Sequence, residues 1–375
     1  MRASLVSNLK VRAGAPDKDS RITNCFAAQE KGGIVARKRP GIVAPLYSFV
    51  AGQAQGGEQC FFLLGDKYNI CTSGSGAAIP LSDAPIVVVY VPIQNTIWVY
   101  SITASTRRRF NGITAVEILP SVSFFSCLDA VYDSIQQVVW VIGSSSIYKY
   151  DAATGVQVGA AISTNPGPLY LSYDVTQNYI WVISSNGVVL QRFNASTGTL
   201  IGINIALGTS SQGIAYNPAD NAIWVSLDNS TALRINAATG AQIGAALSVK
   251  TAGFAYDSTQ NVMWCPNWQT NDGFLRYNAS TGVFINSVSV GLYLSNLIYD
   301  NGNNRIWART NTNIVAFNAL TLALVVGPII FTEPYDMSYD STQNAVWVID
   351  RTDKTLTKID ASSGIKIATQ SGTPL

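Results

Sequence analysis

The side chains able to do chemistry in this chain are unevenly chosen. Its 375 residues include no histidine, which removes the commonest general base, the Ser-His-Asp and Cys-His arrangements, and most zinc, copper and iron sites. Carboxylates remain, but in the body of the chain they recur at one place, as Asp133, Asp174, Asp257, Asp300 and Asp340 do. A residue repeated in this way is explained by turn geometry before catalysis. The neighbouring ligands do not form a calcium loop, and no phosphate-binding glycine loop or dinucleotide fingerprint is present. No catalytic residue, cofactor site or metal site is therefore expected. The five cysteines, Cys25, Cys60, Cys71, Cys127 and Cys265, show no CxxC or paired spacing, so free and mostly buried thiols are expected.

Two other groups could bind a partner. Arg107, Arg108 and Arg109 stand side by side on an expected strand, so their side chains point both ways and at least one should face solvent or a partner. The run reads as a solvated strand edge or, alternatively, as a site for an anion. Trp268 lies in an insertion, Cys265–Gly273, and is either a binding anchor or a lid folded back on its own repeat.

These residues must be positioned by a repeat. Trp98, Trp140, Trp181, Trp224, Trp264, Trp307 and Trp347 follow one another at nearly equal steps along the chain. A tyrosine precedes each by eight, from Tyr90 to Tyr339, and an Asx-Ala-Xaa-Thr/Ser-Gly element follows most of them, as at Asn236–Gly240. Asx residues close turns with their own side chains and glycine accepts positive φ, so both columns are turn chemistry. Between turns the text is rich in Val, Ile, Tyr and Trp over five to seven residues, which specifies strands. A period of roughly 42 with about four strands is the arithmetic of an all-β propeller, with seven Trp-marked four-stranded blades over residues 86–370.

Residues 42–85 span one period without its Trp, and Phe61 and Phe62 fall near its place. They are expected to form a degenerate eighth blade; the alternative is that part of the segment gives an outer strand to the last repeat and closes the ring. The propeller is thus expected over 42–375, behind an extended basic arm at 1–41. Residues 1–45 hold nine basic and three acidic side chains, net +6, whereas the remainder holds 15 and 19, net −4. Arg12, Arg21, Lys38 and Arg39 are the candidate assembly contacts of the arm, which is read either as contacting nucleic acid or an acidic subunit or as simply solvated. The N-terminus lacks the apolar core of a secretory signal and no apolar run is long enough to cross a bilayer, so no membrane anchor is expected.

The repeats resemble the YVTN and streptogramin-lyase-like propellers, in which a Trp strand precedes an Asx-Ala-Xaa-Thr-Gly turn. The lyase members depend on a histidine that this chain lacks. Asp19, Arg21, Asn24, Cys25, Lys38, Arg39, Pro40 and Gly41 resemble the opening of tail nozzle, or packaged-DNA stabilisation, proteins of short-tailed bacteriophages. That resemblance implies a virion structural protein assembled in the host cytoplasm. Its copies would form a ring, usually a hexamer, with the portal and adaptor and other tail proteins as partners. DNA would pass through the lumen without sequence specificity. The alternatives are a receptor- or glycan-binding propeller and, behind it, a lyase-like enzyme.

Overall fold

The computed structural model describes residues 78–367, except 103, 104, 126 and 185, together with the strand segments 2–3, 25–30, 33–38, 59–64 and 67–72. The chain divides into two compact units, Met1–Ala77 and Ala78–Leu375. In the first, Arg2–Ala3, Cys25–Glu30 and Gly33–Lys38 form a three-stranded sheet, and Gln59–Leu64 pairs with Lys67–Thr72 in a hairpin. The hairpin register sets Cys60 opposite Cys71, a proximity not visible in their sequence spacing.

The second unit is a propeller of seven four-stranded antiparallel sheets, numbered here as blades 1 to 7 in chain order. Blade 1 begins at Pro85 and the first strand of blade 7 ends at Asp340. Contacts between the first strands of successive blades place those strands around the axis. The outer strand of blade 7 is Ile79–Pro80, paired with Thr355–Asp360. Ring closure by the two ends of the repeat region is therefore what residues 78–85 do. The eighth blade expected from 42–85 is not among the described sheets, and the propeller begins at 78 instead of 42. The physical reason is local: among the described residues blade 7 takes its outer strand from Ile79–Pro80, and Ile79 and Leu81 complete its core.

Blades 2 to 7 repeat one polar device. The residue ending the first strand is fully buried, Asn217 in blade 4 and aspartate in the others, and in blades 2, 3, 5 and 7 its Oδ1 accepts the N–H groups two and three residues on, as Asp257 does from Thr259 and Gln260. Its Oδ2 accepts the indole N–H of the blade's own tryptophan in blades 2, 5, 6 and 7, at 3.2–3.4 Å. The turn then closes through a left-handed residue, Asn in six blades and Gln137 in blade 2. All seven lattice tryptophans are 0% exposed, so the column is the core, and each buried indole stabilises by about 2–3 kcal/mol. In blade 4 the fourth strand is reduced to one bridge at Gln242 and the pair Leu247–Ser248.

Candidate functional site

Strand register puts a cation opposite the tryptophan in six blades: Arg109, Lys149, Arg192, Arg234, Arg276 and Lys358. Each lies 4.6–5.6 Å from the centre of the indole it covers, a cation–π contact. Most then reach across the seam to backbone carbonyls of the next blade's glycine turn. Arg192 donates to Ala237, Ala238 and Thr239 O, Arg234 to Ser280 and Thr281 O, and Lys358 to Gly112 O. The cation column therefore joins blade to blade.

This column decides the fate of the arginine triplet. Arg107 and Arg109 are 7% and 5% exposed and donate to Gly155 O and Ala153 O of blade 2, at 2.8 Å each. Arg107 is enclosed by the rings of Trp98, Phe124 and Tyr150. Burial, and then the charge of Arg107, lower the pKa of Arg109. Gly155 has φ +76, and a Cβ there would come within 3.1–3.2 Å of both guanidinium groups. Arg108 points the other way, pairing with Glu117 at 2.6 Å and donating to Pro80 O of the closure strand. The triplet is thus seam and closure chemistry in the structure, and neither the solvated edge nor the anion site describes Arg107 and Arg109.

At the end of the channel where the first strands start, Asp129 and Asp336 are both half-buried. Asp129 accepts Leu171 N–H from blade 3 at 2.7 Å, and Asp336 accepts Val88 N–H from blade 1 at 3.0 Å and the amide of Asn296 at 3.1 Å. Burial pushes the Asp129 carboxyl up to about 7, opposed by the Leu171 N–H and reinforced by Asp336. Asp336 is raised as well, again chiefly by burial. Both carboxylates cap otherwise free backbone donors of neighbouring blades, which is positioning chemistry at an axial mouth.

Blade 5 departs from its fellows at the rim. Seven residues separate its second and third strands, Val262–Pro266 and Phe274–Asn278, where the other blades have three or four. Asp272 pins this loop by accepting N–H groups of Val290, Gly291 and Leu292. Trp268 is half-buried, donates its indole N–H to Leu294 O at 2.9 Å and stacks on Tyr293 with centroids 6.0 Å apart. Of the two expectations for this residue, the folded-back lid matches. Its neighbours Asn267, Gln269 and Thr270 instead overhang a groove of about 670 Å³ running between the outer strand of blade 4 and blade 5, floored by Tyr277 and Phe284.

Sequence reasoning found the insertion but fixed on its tryptophan and missed Phe284. The signal lay in register. The position paired with the third strand just beyond the turn holds Glu117, Gln157, Leu200, Gln242, Phe284, Leu324 and Lys366 in successive blades. Only blade 5 puts an aromatic there, and it is 50% exposed. Of the arm candidates, Lys38 ends the strand Gly33–Lys38; Arg12, Arg21 and Arg39 lie outside the described residues. Cys127 and Cys265 are free and buried, and burial raises both thiols. No helix among the described residues is long and apolar enough to cross a membrane.

No protein-family model matches the sequence, and no curated protein matches it either. Among solved structures, a chain of the crystal structure of the mitotic checkpoint complex is similar, with a TM-score of 0.63 and 12% identity over 80% of this chain and 97% of that one. At that identity the likeness establishes the propeller fold and nothing further.

Proposed function

We propose that this protein is a structural subunit of a bacteriophage virion, a tail nozzle protein that assembles into a ring below the portal and adaptor. The observation that carries the reading is the division of the chain: a separate N-terminal unit, in the region that carries the basic surplus and the tail-protein resemblance, precedes a closed disc. The disc suits a building block. Most of its seams are tied by cations, so presenting its sides to a neighbour costs little ordering.

Its rim also offers surface for association. The outer strand of blade 6, Leu324–Ile330, leaves Leu324, Val325 and Ile330 42–66% exposed on an edge with no further strand among the described residues. Such an edge is a template for contact with another chain. In this role the N-terminal unit reaches a neighbouring copy, and DNA passes the ring through non-specific electrostatics.

Light scattering of the purified full-length chain, alone and with portal and adaptor from the same source, tests the proposal. A ring, formed directly or on adding that complex, is expected. A persistent monomer with no affinity for the complex would overturn it. Removal of residues 1–77 should leave a folded propeller that no longer assembles, read from retained β circular dichroism and a monomer mass.

A further inference from the structure

The groove beside blade 5 has a composition that neither the seams nor the assembly requires. We propose that it is a binding site for a neutral oligosaccharide, an activity beyond the structural role above. Two independent departures from the repeat meet there. The lengthened loop brings Asn267, Gln269 and Thr270 over one side, and Phe284 replaces the Gln, Glu, Lys or Leu of the other blades on its floor.

The chemistry selects the ligand class. Phe284 is half-exposed and braced edge-on by Tyr277, with centroids 5.4 Å apart, so it keeps a fixed orientation. The C–H face of a pyranose packs against such a ring, while its hydroxyl groups need partners that both donate and accept. Gln269 and Thr270 are exposed and supply that pairing. Asn267 is 8% exposed; its Oδ1 holds Gln269 and Thr270 N–H, and its amide nitrogen has no hydrogen-bond partner among the described residues. None of the residues lining the groove is charged. Phosphate, sulfate or carboxylate ligands would meet no cation, which favours an uncharged polyol. The volume, about 670 Å³, falls within the ordinary range for ligand sites.

The loop is fixed by hydrogen bonds of the fold itself. Asp272 and Trp268 tether it to the segment 290–294 on the side away from the groove floor, so the amide row is already in place and binding costs little ordering.

Isothermal titration of the full-length protein with maltohexaose, cellohexaose, chitohexaose and a heparin-derived hexasaccharide tests the assignment. At least one of the neutral hexasaccharides should bind saturably, with affinity reduced about tenfold or more by Phe284→Ala and, separately, by Gln269→Ala. Leu200→Ala removes a comparably exposed side chain at the same register position of blade 3, and should leave binding unchanged; unaltered thermal midpoints show that all three variants fold. The proposal is overturned if no neutral hexasaccharide binds at about 10 mM, if only the heparin fragment binds, or if Leu200→Ala weakens binding as much as Phe284→Ala. These outcomes are independent of the oligomeric mass, so the site and the ring stand or fall separately.

Discussion

The seam between blades 4 and 5 and the seam between blades 5 and 6 join the same kind of surface by opposite means. In the first, Arg234 covers Trp224, pairs with Asp220 and donates to Ser280 and Thr281 O across the gap. A Cβ on Gly282, at φ +74, would lie 2.6 Å from its Nη1, so a side chain there would push the guanidinium off the turn. In the second, Arg276 still covers Trp264 at 4.6 Å but bonds only Gln260 of its own blade. The next turn carries Leu322, at φ 66, in place of glycine, and Leu322 packs into the apolar cluster of that seam. Phe274 and Phe317 meet edge-on across it at 5.0 Å. A repeat can thus keep its backbone while exchanging a charged tie for apolar packing, because an arginine side chain and a leucine side chain compete for one gap under the turn.

The two seams should part most widely at Phe274. Phe274→Ala should cost about 3–5 kcal/mol, since it empties the apolar seam of a fully buried ring, and a fall in the thermal midpoint would report it. Arg234→Ala should cost about 2–3 kcal/mol, from a buried pair and charged hydrogen bonds lost together. Arg276→Ala should cost less than half as much. Equal losses for the two arginines in parallel thermal melts would dissolve the distinction between the seams.

A third kind of seam, between blades 2 and 3, adds a pH test. Asp129 closes it at the channel with a carboxyl raised to about 7. Between its ordinary range near 4 and about 7 the folded chain keeps a proton that the unfolded chain has released. Stability from this group is therefore present at low pH and is lost as pH rises through that window. Melting from pH 5 to 8 should show the decline, and Asp129→Asn should flatten it. If the decline persists undiminished, another group carries it, and Asp336, raised for the same reason, is next to substitute. The smallest effect belongs to Leu322→Gly. Relief of a left-handed leucine offsets lost packing of a half-exposed side chain, so the change should stay within about 1 kcal/mol. A large loss in chemical denaturation would show that the apolar seam depends on Leu322 itself.

The blade count was legible because the tryptophan and tyrosine columns keep their spacing: both sit on the first two strands, joined by a turn of fixed length. The cation column was not. The step from tryptophan to cation changes from blade to blade, being shortest from Trp140 to Lys149 and longest from Trp264 to Arg276. The loop between second and third strands varies in length, which blurs the column until the strands are paired. For the same reason three adjacent arginines read as an edge, although two of them lie opposite aromatic side chains. Phe284 escaped notice because its distinction is a register position, visible only beside its counterparts in other blades.

What is local could be read from the order of residues alone: strands, Asx and glycine turns, the buried Trp core and the number of repeats, all set by neighbours close along the chain. What depends on distant partners was settled only when the chain folded back on itself. Folding paired Ile79–Pro80 with Thr355 and Leu356, at the opposite end of the repeats, turned Arg107 and Arg109 inward, and set the blade 5 loop over Phe284. Those outcomes follow from which surfaces meet when the ring closes, and closure brings together side chains whose separation along the chain carries no trace of the contact.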